Sequence, residues 1–344
     1  MSFTSISKRR ILLFIMLLIS ALPKLSAGDN NLNGLPSIPT YTQKPSSNWI
    51  FSADFLAWFP SEEVSSIWAD VITIGDNTSS WEALGFNFKW DYGFRIGTGY
   101  SLVKEQWDTS LHWTWFHANA KHTIPFKSNA SITPEFFAAF LSGDTPQSMS
   151  VKWSLLFNMF DWELGQSYWI SKKLFLRPFL GVKGGWINQS IHGQYFNLTI
   201  NRVLTNHSGR ESLKNNFWGI GPLGGINTKW RIRDFGSNFF DFFGDFSLAT
   251  MWGKWICSDV YKNTASQTSS INMRNSVLGA LMFRGFMGIE LNVNFHSNKS
   301  HFTTKLGYEM QIWLNQLRLA TFQLQRLHGD LTLQGLTLNC RLDF

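Results

Sequence analysis

The sequence predicts an all-β fold: an antiparallel transmembrane β-barrel of about ten strands, with short periplasmic turns and long extracellular loops. Three observations carry this. Apolar and aromatic residues alternate with small or charged ones in run after run. The intervals between runs are alternately short and long. Aromatics make up 16% of the chain, with 31 Phe and 17 Trp, while charged residues are only 15%, below the roughly 25% usual in a soluble domain. Hydrophobicity dispersed in this way is what an alternating lipid face produces.

The first residues have the layout of a secretory signal peptide. Lys8, Arg9 and Arg10 precede an apolar run from Ile11 to Leu22, and the small residues Ser26 and Ala27 follow. The run is about 12 residues, too short for the roughly 20 of a spanning helix. The expected division is residues 1–27 as the signal, cleaved after Ala27, residues 28–47 as a periplasmic segment, and residues 48–344 as the barrel. Losing Lys8, Arg9, Arg10 and Lys24 lowers the formal charge from +7 to about +3, which says little about partners. No lysine or arginine cluster of a nucleic-acid binder is present.

The runs then follow in order. Trp49, Phe51, Ala53, Phe55, Ala57 and Phe59 form the first. The second is the longest, with Leu84, Phe86, Phe88, Trp90, Tyr92, Phe94, Ile96 and Tyr100 at every second position but Thr98. Others start at Trp107, Val151, Leu174, Trp218, Phe240, Leu281, Phe302 and Leu336. The run from Val151 shifts phase near Phe160–Asp161, as a β-bulge would cause. Long intervals (61–83, 118–147, 191–214, 257–274, 315–329) alternate with short ones (102–106, 171–173, 232–237, 297–300). Ten strands satisfy this alternation throughout. Splitting the second run at Asp91–Gly93 and the fourth at Phe160–Asp161 gives twelve and disturbs it.

Alternation alone does not say which face is outside. The apolar face is almost free of charge, tryptophans gather toward run ends, and Phe344 closes the last run, so that face is assigned to lipid. The opposite parity then lines the lumen: Lys89, Asp91, Arg95, Lys152, Asp161, Glu163, Arg177, Lys183, Lys229, Asp241, Asp245, Arg284, Glu290, Lys305 and Glu309, with His112, Arg341 and Asp343. A neutralised interior and a wet pore with facing acidic and basic walls both fit this set. Cys257 and Cys340 fall near opposite ends of the strand map, beyond the about 7 Å that a bridge tolerates.

Several motifs recur in the order of a known family: residues 90–100 (WDYGFRIGTGY), Trp107–Asp108, residues 113–116 (WTWF), 177–181 (RPFLG), 217–222 (FWGIGP), 307–313 (GYEMQIW), 333–337 (LQGLT) and the final Phe344. In these the chain resembles the Legionella-type major outer membrane protein family, a pore-forming group also present in chlamydia-like bacteria. The resemblance implies a porin-like outer-membrane barrel and no catalytic residues. Some such proteins are cysteine-rich and cross-linked in the envelope, a role that two cysteines do not suit.

Other motifs are weaker. Gly219-Ile220-Gly221-Pro222-Leu223-Gly224 has dinucleotide-loop spacing but lies inside an alternating run with no helix after it, so the glycines are assigned to strand bending or close backbone approach. The eight histidines show no metal-ligand spacing. Thr133, Pro134, Phe136, Phe137, Phe140 and Leu141 suggest a short helix over residues 133–141 that folds inward and narrows the lumen.

The expected role is passive diffusion of small hydrophilic solutes or ions through the outer membrane, without enzyme activity, cofactor or metal. The alternative is a structural or adhesive surface protein acting through its loops. Expected partners are outer-membrane lipid and the barrel-assembly machinery, with Phe344 as the assembly signal. Self-association is left open and no nucleic-acid partner is expected.

Overall fold

The computed structural model describes residues 49–63, 68–74, 78–102, 106–126, 130–134, 145–200, 203–235, 238–295, 300–320 and 326–344. The expected signal and periplasmic segment lie outside these residues. No helix among them is long and apolar enough to cross a membrane, which says nothing of strands.

Ten strands form the barrel: β1 (Trp49–Glu62), β2 (Asp91–Leu102), β3 (Trp107–Ile124), β4 (Ser148–Gln166), β5 (Leu174–Phe196), β6 (Gly209–Phe235), β7 (Asn238–Asn263), β8 (Thr268–Phe295), β9 (Ser300–Ala320) and β10 (Arg326–Asp343). Each pairs antiparallel with the next, and β10 pairs with β1, so the sheet closes and leaves no edge. Phe344 completes the closure: its backbone exchanges two 3.0 Å hydrogen bonds with Trp49, and its ring lies 5.5 Å from Phe51. At the extracellular end, Ala69–Ile74, Ser79–Leu84 and Ala130–Pro134 make a small separate sheet.

The aromatic belts fix the membrane level. Trp186 of β5 faces Trp218 of β6, and Trp252 of β7 is exposed beside them. At the other end Trp230 pairs with Phe242, near the level of the strand ends that carry Trp49 and Phe344. At about 3.3 Å per residue and a tilt of about 45°, the strand from Trp218 to Trp230 rises roughly 28 Å, close to the ~25 Å apolar band of such barrels. Between the belts, Phe94, Ile96, Leu248, Phe283, Met287, Leu306 and Leu338 point outward and are exposed.

Beyond the upper belt the pattern inverts. On β4, Val151, Trp153, Leu155, Phe157 and Met159 are buried inside, whereas Lys152, Ser154 and Asn158 point outward. Lower on the same strand, Phe160, Trp162 and Leu164 are the outward residues. No bulge separates the two stretches: β4 keeps unbroken register with β3 and β5 through Phe160–Asp161. The expected bulge is therefore corrected. The hydrophobic residues change face because the surroundings change: lipid lies outside below the belt and water outside above it.

The same inversion explains the intervals. The long intervals mark where outward apolar residues stop, but the strands continue. β7 runs to Asn263 and β8 starts at Thr268, so the expected loop 257–274 is a turn of residues 264–267. Ser266 takes the left-handed conformation there, at φ 64°. The run from Leu84 is also corrected. Leu84 ends an extracellular strand opposite Ala69, and β2 starts only at Asp91. Between them Phe86 is buried against Trp68 at 5.9 Å and Phe88 packs on Trp153 at 5.1 Å, so alternation there serves the barrel cap. Thr133 and Pro134 lie in a strand facing Asp70 and Ala69, which overturns their role as a helix start. Residues 135–144, the rest of that expectation, lie outside the described residues.

Gly219–Gly224 sits inside β6 without interruption. A Cβ at Gly221 would fall 1.9 Å from Thr250 O, so the glycine permits close approach of β6 and β7.

Candidate pore lining

The inward face of the membrane half is a set of buried ion pairs centred on Glu309 of β9. Its carboxylate accepts from Arg95 Nη2 at 2.7 Å, Arg284 Nε at 2.6 Å, Thr337 Oγ1 at 2.9 Å and Gln311 Nε2 at 3.1 Å. Arg95 also donates to Asp54 at 2.8 Å and to Thr114 Oγ1 at 3.0 Å, and Asn339 donates to Asp54 at 2.5 Å. Five adjacent strands (β8, β9, β10, β1 and β2) are thus tied through one carboxylate pair. Across the barrel, Lys183 donates to Asp161 at 2.5 Å.

Two further groups lie toward the periplasmic rim. Glu290 accepts from Lys229 and from Asn292 at 2.9 Å, while Lys305 reaches Asp245 at 3.1 Å. Arg231 pairs with Asp241 at 3.2 Å. Arg177 holds Asp108, Glu163 at 3.2 Å and Asn227 at 2.7 Å. Charges this far from bulk water are tolerable because each meets an opposite charge and further polar groups.

Above these charges the interior becomes apolar. Trp58, Phe116, Trp153, Phe157, Phe217, Trp255 and Trp313 are almost completely buried. Phe157 of β4 and Trp313 of β9 stand five strands apart around a ten-strand ring, yet their rings meet at 5.7 Å. Residues from opposite walls therefore touch across the lumen at this level. Gln189 of β5 bridges the interior as well, accepting from Trp153 Nε1 at 3.0 Å and donating to Glu62 of β1 at 3.2 Å. Burial raises the Glu62 carboxyl well above the usual carboxylate range, against the Gln189 hydrogen bond. Higher still, Tyr195 donates to Glu211, and Asp259 lies close by on β7. Burial pushes the Asp259 carboxyl up to about 7.

Twelve of the fifteen expected lumen residues take part in this interior: Arg95, Asp161, Glu163, Arg177, Lys183, Lys229, Asp241, Asp245, Arg284, Glu290, Lys305 and Glu309. Asp91 keeps the inward parity at the start of β2, where it accepts from the Asn119 backbone at 3.2 Å. Two expectations are corrected. Lys89 is exposed and precedes β2. Lys152 is exposed on the outer wall, because the apolar residues beside it turn inward above the belt. Asp54, Asp108 and Thr337 were missed, although the parity of Phe51–Phe59 already placed Asp54 inside. Trp153 and Phe157 belong to the run from Val151, whose apolar face parity places against lipid; they lie inside instead, and the phase change after them is the signal. Cys257 is buried beside Asn215, 3.2 Å from its Oδ1, and Cys340 sits near the opposite end of the barrel. Both are free thiols.

The family model described as Legionella pneumophila major outer membrane protein precursor matches residues 42–344. The chain belongs to that family. It is an outer-membrane barrel protein. No curated protein matches it by sequence. Among solved structures it is similar to the Escherichia coli outer membrane protease OmpT, at 7% identity and a TM-score of 0.36, covering 86% of this chain and 96% of that one. It is also similar to a Pseudomonas aeruginosa FadL homologue (7% identity, TM-score 0.26, 86% and 90% covered). The P. putida toluene transporter TodX gives 8% identity and a TM-score of 0.24, with 88% and 92% covered.

Proposed function

We propose that this family member is a low-conductance outer-membrane channel for small hydrophilic solutes or ions, without catalytic activity. Its throughput is set by the aromatic layer at Phe157 and Trp313. The observation that carries this reading is the charged inner wall from Arg95 down to Arg341. A barrel needing only stability would be served as well by apolar packing, since replacing buried ion pairs by hydrophobic residues is often neutral or stabilising. A wall of both signs instead suits water-borne solutes and biases which ions pass. The aromatic layer favours a second reading, a closed barrel that displays its extracellular parts.

Planar-bilayer recording separates the two. The channel reading expects small discrete steps from the natural protein and steps at least about twofold larger from the double variant Phe157→Ala, Trp313→Ala, which opens the contact across the lumen. Absence of steps from both folded proteins would leave only the display reading.

A further inference from the structure

The outer wall above the aromatic belt is cationic from β3 to β7. Lys121 of β3 lies directly opposite Lys152 of β4, and Lys152 lies opposite His192 of β5. Arg210 of β6 lies opposite Lys262 of β7, with Lys214 of β6 on the same face. All six side chains are exposed. Directly opposed residues bring their Cβ atoms within about 5.5 Å, and like charges so placed destabilise a sheet. None of the six forms an ion pair among the described residues, whereas inside the barrel cations of the membrane half meet carboxylates. No aspartate or glutamate occupies the outward parity of β3 to β7 in this zone. Partial desolvation and then Lys214 and Lys152 hold His192 toward its neutral form, so cations on two strands meet in one field at its position.

The height of the patch limits what it can meet. Lys214 lies four residues beyond Trp218 on β6, and Lys152 six beyond Asn158, the residue level with Trp186. With about 3.3 Å per residue and a tilt of about 45°, that is roughly 9–14 Å above the belt, where the headgroups of the outer leaflet begin to give way to water, whereas Arg210 and Lys262, eight and ten residues beyond Trp218 and Trp252, stand roughly 19–23 Å above it. Exposed cations at this level are attracted to anionic lipid over about a Debye length, near 8 Å at physiological salt.

We propose that this wall binds the phosphate groups of a phosphorylated lipid of the outer leaflet, with Lys121 and Lys152 as the clamp and Lys214 beside it, while Arg210 and Lys262 stand above the headgroups. Phosphate oxygens satisfy several cations at once and relieve the repulsion between Lys121 and Lys152. The inference needs only the barrel and its membrane level, and it holds whether or not the lumen conducts.

The test uses the folded full-length protein in neutral-detergent micelles and a diphosphorylated glucosamine lipid as probe, read by the thermal midpoint of unfolding. A binder of the folded state raises the midpoint. The expected result is a clear rise with the lipid, little rise with the same lipid stripped of phosphate, and loss of at least about tenfold in apparent affinity in the variant Lys121→Gln, Lys152→Gln, Lys214→Gln. The pair Lys121→Gln, Lys152→Gln should lose a smaller part, and keeps the test available if the threefold variant folds poorly. An equal rise in the variants, or no rise in the natural protein, would overturn the proposal. So would an equal rise with inorganic phosphate or polyglutamate, which would point to a free anion or an acidic chain.

Discussion

The membrane half and the outer half of this barrel are built on the same strands with opposite rules. On β4, Trp162 and Leu164 face out and Asp161 and Glu163 face in, whereas a few residues further on Lys152 and Ser154 face out and Trp153 and Phe157 face in. The backbone register does not change between them. What changes is the solvent outside the wall. Lipid takes the apolar side chains and leaves the interior to paired charges; water takes the polar side chains and leaves the interior to an aromatic core. The lesson is that alternation encodes two faces, and only the surroundings decide which face is outside.

The comparison breaks most visibly at Glu309. Replacing it by alanine leaves Arg95 and Arg284 buried without their shared carboxylate. The expected loss is about 3–5 kcal/mol, measured by urea unfolding from lipid vesicles. A loss below about 1 kcal/mol would mean that water reaches these charges freely.

A charge on the outer wall sharpens the same contrast. Leu248 is exposed between the belts on β7, and Leu248→Arg should cost about 2–4 kcal/mol, as a lipid-facing charge near the midplane does. Ser154→Arg, outward on β4 above the belt, should change stability by no more than about 0.5 kcal/mol. Similar costs in the same unfolding assay would place both positions in one environment.

The fold was legible because lipid-facing alternation is simple and locally encoded, and Arg95, Glu290 and Glu309 followed from parity alone. The outer half was not, because parity carries no label for the medium. Phe157 and Phe94 look alike in an alternating run, yet one meets Trp313 across the lumen and the other meets lipid. Contacts such as Arg95 to Glu309 depend on which strands close the ring, a relation between residues far apart in sequence.

The smallest expected effect is a pH dependence of the outer half. Burial pushes the Asp259 carboxyl up to about 7 in the folded chain, against about 3.9 when unfolded, so the folded state holds the proton more tightly between these values. Its contribution is complete below about pH 4 and is lost as pH rises through about 7. The thermal midpoint should therefore fall between about pH 5 and pH 7.5, and Asp259→Asn should flatten that slope. An unchanged slope in the variant would assign the dependence to another group.

The inversion itself is tested most directly by scanning β4 with single spin labels in lipid vesicles, reading accessibility to apolar oxygen and to a water-soluble nickel complex. Labels at Phe160, Trp162 and Leu164 should be open to oxygen, labels at Lys152 and Ser154 open to nickel, and labels at Trp153, Leu155 and Phe157 closed to both. Oxygen accessibility at Trp153, Leu155 and Phe157 would instead place those residues against lipid and contradict the account.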